Sequence, residues 1–355
     1  MKAPGWHQIL LDTGAHFGRA LASLVVAADP QGQVLGRNLH LCAALGALSQ
    51  SCYDALSTDP VAREAVGRAG ALLSLLTKVD DQVIDSLDFH GGWRTPRVLV
   101  RARTRAFLQP TLDSIRLAAP ASRSPRCALA AELGSALSAL SADPARLERL
   151  LAVIARGWQI QIEAVALLSA HPATTTDAQL SWVTRQISGA WLLMIAMVGA
   201  LPASVPVPLS PEEEQAFYGW GGWIQRADAL ADISKDAADG LINSVPARHI
   251  WRQAPEAYEA ALRSPGTEQL YALLAETGAD AACLPPPGAL AALSSPLSRL
   301  GAVPGLLAWI QGFLTWRYLA APQCRQAVVG TAWTPYITHT AGWRAYAEGA
   351  ACSAP

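Results

Sequence analysis

Charge is scarce in this chain of 355 residues. Asp, Glu, Lys and Arg make up 15% of it against 51% hydrophobic residues, and the formal net charge is -1. With no charge excess and no basic stripe interleaved with aromatics, the electrostatic footprint of a nucleic-acid partner is missing, and none is expected. The six cysteines (Cys42, Cys52, Cys127, Cys283, Cys324, Cys352) never fall in a Cys-x-x-Cys spacing. That argues against a structural zinc site and against a disulfide framework, and leaves buried, reduced thiols. Seven histidines include no His-x-x-x-His or His-Glu pair, so a zinc enzyme is not expected. No apolar run reaches the ~20 residues of a spanning helix. The stretch 187–201 is too short, and 300–316 is interrupted by Pro304 and Gly305. Both read as buried core helices, with loose peripheral membrane contact left open. The first seven residues lack the pattern of a secretory signal, so a cytoplasmic location is expected.

Strand alternation over four or more residues is missing too, as is any fixed-period repeat. Helix punctuation is plentiful. Asp59-Pro60 predicts a helix start, with Asp59 as N-cap, running to about Asp88 and stopped by His90-Gly91-Gly92. A helix from about Asn38 to Leu56 precedes it. Others are expected after Pro96, from Pro144 to about Ala170, from an Asp177 cap to Ala200, and from Pro211 to Gly240. Further helices are expected at 267–277, 288–300, 305–320 and 339–349. The chain therefore reads as all-α, a single domain over residues 1–355. Trp158, Trp182, Trp191, Trp220, Trp223, Trp309 and Trp316, among twelve tryptophans, are expected to face the core. Gly219, Gly221 and Gly222 inside one helix mark either a kink or a place of close packing.

Two rows of acids break local rules. Asp228, Asp232 and Asp236 recur every four residues, with Gln225 and Asp239 three residues outside them. On a helix they share one narrow face, where like charges at this spacing repel. Only Arg226 and Lys235 are at hand to pair with them. About 150 residues earlier, Asp81, Asp85 and Asp88 follow the same helical spacing at a helix C-terminus, where the dipole favours cations; Lys78 and Asp80 lie beside them. Such violations are expected at functional sites. Oxygen-only ligands suit a hard cation such as Mg²⁺, bound through a few carboxylates and a substrate's phosphates. If the two helices face each other, they can hold metal against a diphosphate, and an apolar, Trp-rich pocket can harbour the carbocation formed when an allylic diphosphate ionises. The basic segment from Arg94 to Arg105 reads first as a solvated face and second as a diphosphate-facing one.

Gln225-x-x-Asp228-x-x-x-Asp232-x-x-x-Asp236-Ala237-x-x-Gly240 resembles the second aspartate motif of the squalene/phytoene synthase family, a branch of the class I isoprenoid (terpene) synthases. Asp81-Gln82-Val83-Ile84-Asp85 is similar to its first Asp-x-x-x-Asp motif, with Lys78 where a basic residue is usual. The resemblance covers roughly residues 70–250, within a motif core of about 60–250. It implies an isoprenoid synthase-type helical bundle with a central apolar cavity, about three Mg²⁺ ions and a prenyl diphosphate substrate. Asp80, Asp81, Asp85, Asp228, Asp232 and Asp236 would bind metal, with Asp81, Asp85, Asp232 and Asp236 central to catalysis. Lys78, Gln225, Arg226 and Lys235 would orient the diphosphate. The sequence departs from the pattern at Ala231 and Leu241, where arginines are common, and it lacks the substrate-flap signature of head-to-head synthases. These departures point toward an enzyme that ionises and cyclises one prenyl diphosphate, ahead of head-to-head coupling or a non-catalytic partner protein of the same fold. Arg317-Tyr318 is similar to an Arg-Tyr pair of other terpene synthases.

Overall fold

A computed structural model describes residues 33–320 apart from 142, 264–267, 281–282 and 287. Among the described residues the regular structure is helical throughout. The order is α1 (Gln33–Leu56), α2 (Arg63–Ile84), α3 (Leu87–His90), α4 (Arg97–Leu117), α5 (Pro125–Leu140), α6 (Pro144–Leu168) and α7 (Asp177–Gly199). It continues through α8 (Pro211–Ala231), α9 (Ile233–Ala238), α10 (Val245–Gln253), α11 (Pro255–Arg263), α12 (Glu268–Thr277), α13 (Ala289–Ser294) and α14 (Val303–Ala320). The helix expected at 339–349, and with it Cys324 and Cys352, lies outside the described residues.

The centre of the bundle is α7. From Ser188 to Gly199 it is buried almost all round, the pattern of a helix enclosed by others. It packs on α1, α2, α6 and α8. Its crossing with α8 is set by glycine. A Cβ on Gly221 would lie 2.1 Å from the Gly189 backbone nitrogen, and one on Gly189 would lie 2.7 Å from Tyr218 Cα. Gly221 therefore serves close packing, and α8 runs through its three glycines as one helix. A smaller core joins the end of α8 to α9–α12 through Leu230, Ile233, Ile250, Tyr258 and Leu274. The helix α6 is long and apolar enough to cross a membrane by length and composition, but Ile154, Trp158 and Ile162 on it are core residues here.

Several helix ends follow the sequence signals and several do not. Asp143 caps α6, its carboxylate accepting from the Ala145 N–H at 2.9 Å. Ser210 and Glu213 form a capping box on α8. Asp59 is not the N-cap of α2: it accepts from Val61 N–H in a turn, and the helix begins at Arg63. The cap of α7 is Thr176, with Gln179 closing the box, and Asp177 instead pairs with Arg248 and Arg252. The helices α5, α10 and α11 go beyond the sequence expectation, although Ser124-Pro125 opens α5 and Ser244 caps α10. Helix 288–300 shortens to α13 followed by a 3₁₀ turn, Ser298–Leu300.

Candidate active site

Both acid-bearing helices are interrupted where the acids lie. The helix α2 ends at Ile84, and α3 restarts at Leu87, so Asp88 leaves the Asp81–Asp85 row and stands exposed. Ser86 makes the stop: its hydroxyl donates to the Val83 carbonyl at 2.7 Å, and its own carbonyl accepts from Phe89 and His90. The expected single helix 211–240 is likewise two. It breaks at Asp232, whose φ of -107° and ψ of 8° are not helical. Tyr271 of α12 holds the break, donating from Oη to the Ala231 carbonyl at 2.8 Å. Gly240, with φ of 80°, closes α9 in a Schellman turn, as the Leu241 N–H reaches the Asp236 carbonyl at 2.7 Å.

The two rows meet. Burial works against the Lys78 ammonium, yet Asp81, Asp228 and Asp85 together hold its pKa above the ordinary lysine range. Lys78 Nζ lies 3.2 Å from Asp81 Oδ2 and 5.1 Å from the Trp191 ring centroid. Burial, then repulsion by Asp81, pushes Asp85 up to about 8 against the pull of Lys235 and Lys78. Asp236 stands well above the usual carboxylate range, through burial and the nearby Asp232, Asp228 and Asp85, with Lys235 opposing. Lys235 is exposed and pairs with Asp239 at 3.1 Å. One imidazole ties the two rows at their ends. Gly92 N–H donates to His90 Nδ1 at 3.0 Å, so the ring proton sits on Nε2, which donates to the Asp239 carbonyl at 2.9 Å and to that of Asp85 at 3.3 Å. Burial lowers the His90 pKa and keeps this tautomer neutral.

Asp80 does other work. Its Oδ1 pairs with Arg126 at 3.1 Å and its Oδ2 accepts from Trp158 Nε1 at 3.2 Å. Burial pushes its pKa up to about 7 in spite of the arginine. Both oxygens are engaged by protein donors, and the residue lines the same cleft as Asp81. Gln161, three residues beyond Trp158 on α6, donates to Asp81 Oδ1 at 2.9 Å. The pair is a Trp and a Gln on one face of an apolar helix, a faint signal that sequence reading passed over.

Among the described residues, a cleft lies on each side of Ile187. The first, about 340 Å³ of empty space including its mouth, is lined by Asp81, Trp158, Gln161, Ile187, Trp191 and Met194 among others. The second, about 390 Å³ on the same measure, takes in Gln225, Arg226, Asp236 and Ser244. Gln225 Oε1 accepts from Ser188 Oγ at 2.5 Å, and Arg226 stacks over Trp223 at 4.5 Å. Trp191 Nε1 is a buried donor with no partner among the described residues. Trp158 and Trp220 are buried as expected, whereas Trp182 is exposed.

The donors are oxygens and suit a hard cation; burial, then neighbouring acids, raises the pKa values of Asp85 and Asp236 among them. Among the described residues, no three His, Cys, Asp or Glu side chains converge closely enough to hold an ion as they stand.

The sequence matches no family model and no curated protein. Its fold does have solved counterparts. The geranylgeranyl pyrophosphate synthetase from the archaeon Geoglobus acetivorans aligns with a TM-score of 0.51 at 13% identity, over 88% of this chain and 99% of that one. The geranylgeranyl pyrophosphate synthetase of Pyrococcus horikoshii aligns at 0.44 with 13% identity, over 86% and 98% of the two chains. A decaprenyl diphosphate synthase from Rhodobacter capsulatus aligns at 0.42 with 15% identity, over 86% and 99%. The Geoglobus likeness is one of fold: this chain is an all-helical bundle of the isoprenoid synthase type.

Proposed function

We propose that the protein is a magnesium-dependent enzyme that ionises one prenyl diphosphate and lets the carbocation cyclise or rearrange, releasing diphosphate. The observation that carries this reading is Lys78, which pairs with Asp81 of α2 at 3.2 Å and is also acted on by Asp85, just past the end of α2, and by Asp228 of α8. Two acid rows distant in sequence thus share one space, beside a cleft walled by Trp158 and Trp191. Asp81, Asp85, Asp228, Asp232 and Asp236 would hold the metal, which when bound supplies Lewis acidity to the departing diphosphate. Lys78, Gln225, Arg226 and Lys235 would hold the diphosphate as the carbon–oxygen bond breaks and its electron pair leaves with the phosphate. The indole faces favour the cation left behind and offer no nucleophile to quench it. A second reading, transfer of the prenyl group onto a second prenyl diphosphate, is favoured by the fold shared with a geranylgeranyl pyrophosphate synthetase.

The test is incubation with Mg²⁺ and prenyl diphosphates from geranyl to geranylfarnesyl, with products read by mass spectrometry. A hydrocarbon or alcohol with the carbon number of its substrate supports cyclisation, and a longer product supports transfer. Asp81→Ala and Asp232→Ala should each abolish turnover while circular dichroism stays helical. Full activity in either variant overturns the assignment of the acids. No diphosphate release from any substrate leaves a non-catalytic helical protein.

A further inference from the structure

The surface between α3 and the middle of α4 is unlike the rest of the molecule. Leu87, Trp93, Val98 and Leu99 are between 46% and 66% exposed, four large hydrophobic residues within thirteen positions. The same stretch carries Arg94, Arg97, Arg101, Arg103 and Arg105, and no acid lies between Phe89 and Leu112. Two of these arginines are tied down, Arg97 to Thr174 and Arg101 to Glu163. Arg94 lies over the Trp93 ring at 5.0 Å. Arg103 and Arg105 are exposed, with no ion pair or hydrogen bond among the described residues. A Cβ on Gly91 would come within 3.8 Å of Arg103 Nη1, which places that guanidinium beside the turn bearing Trp93. Along α4, Val98, Ala102 and Arg105 follow one helical row, and Leu99, Arg103 and Ala106 follow the next; all six are exposed.

We propose that this face docks on a membrane surface bearing anionic lipid headgroups. Cationic side chains alternating with Trp, Val and Leu are what an anionic interface rewards: the guanidinium groups meet headgroup phosphates while the apolar tips enter the acyl boundary. A second copy of this chain is the poorer occupant. A two-fold interface sets the same patch against itself, and so sets arginines against arginines. A nucleic acid would satisfy the arginines but gives nothing for exposed Val98 and Leu99, which would stay in water.

The experiment is cosedimentation of the full chain with phosphatidylcholine vesicles and with phosphatidylserine-rich vesicles. Wild type should bind the anionic vesicles, lose much of that binding in high salt, and ignore the zwitterionic ones. Arg103→Glu/Arg105→Glu and Val98→Ser/Leu99→Ser should each weaken binding at least tenfold. Circular dichroism should be unchanged, because all four side chains point away from the core. Wild type that stays in the supernatant at low salt overturns the proposal. So does binding untouched by either variant, a concentration-dependent dimer that both variants dissolve, or capture of an oligonucleotide in preference to the vesicles. None of these outcomes depends on prenyl diphosphate turnover.

Discussion

Asp80 and Asp81 are neighbours in the chain with opposite duties, because adjacent positions on a helix point about 100° apart. Both line one cleft, but Asp81 bonds Lys78 and Gln161 while the more buried Asp80 bonds Arg126 and Trp158. Spacing marks Asp81 and the resemblance adds Asp80, and the packing of α5 and α6 gives the two different partners. Asp85 shows what crowding does to a residue. With its pKa raised to about 8, it is mostly protonated at neutral pH. A metal that needs the carboxylate must first displace that proton. We therefore expect Mg²⁺ affinity to climb as pH rises through neutrality and to level off above about 8. Titration calorimetry in buffers of different ionisation enthalpy should show proton release on binding near pH 7. Asp85→Asn should weaken binding and take this share of the proton release with it. A magnesium affinity flat across that range would contradict the raised carboxylate.

At the scale of elements, the sequence marks where helices run better than where they stop. The long apolar runs of α6, α7 and α8, the Asp143 and Ser210 caps and the Gly240 end were all legible, since each rests on chemistry within a few residues. The breaks at Ser86 and Asp232 were not. The first depends on a hydroxyl taking over a helix carbonyl, and the second on Tyr271 arriving from forty residues away. Neither leaves a glycine or proline as a mark. The glycines of α8 were visible but ambiguous, and the crossing with α7 separates Gly221 from Gly222, while Gly219 faces Leu293 of α13. Gly221→Ala would press a methyl group into the Gly189 backbone and should cost about 2 kcal/mol or more, by analogy with overpacked cores. Gly222→Ala meets nothing nearer than 3.6 Å, from Arg185, and should be neutral or stabilise by up to ~1 kcal/mol through helix propensity. Thermal or denaturant unfolding of the pair decides it. Equal effects at the two positions would mean that the helices are not in such close contact.

For the molecule as a whole, the all-helical bundle and the meeting of two acid rows could be anticipated, but not the manner of their meeting. That manner is His90, which in sequence was no more than part of a helix stop. Its ring joins backbone groups at Asp85 and Asp239, 149 positions apart from His90 to the farther carbonyl. Closing so long a loop is entropically expensive, and little rewards it until α4 to α8 are packed. The site should accordingly complete late in folding, after most of the helices have formed. His90→Ala should therefore quicken unfolding several-fold and leave the refolding rate nearly as it was, which stopped-flow chevrons would reveal. Acid rows and cleft would then arrive together, and a half-made molecule would have neither.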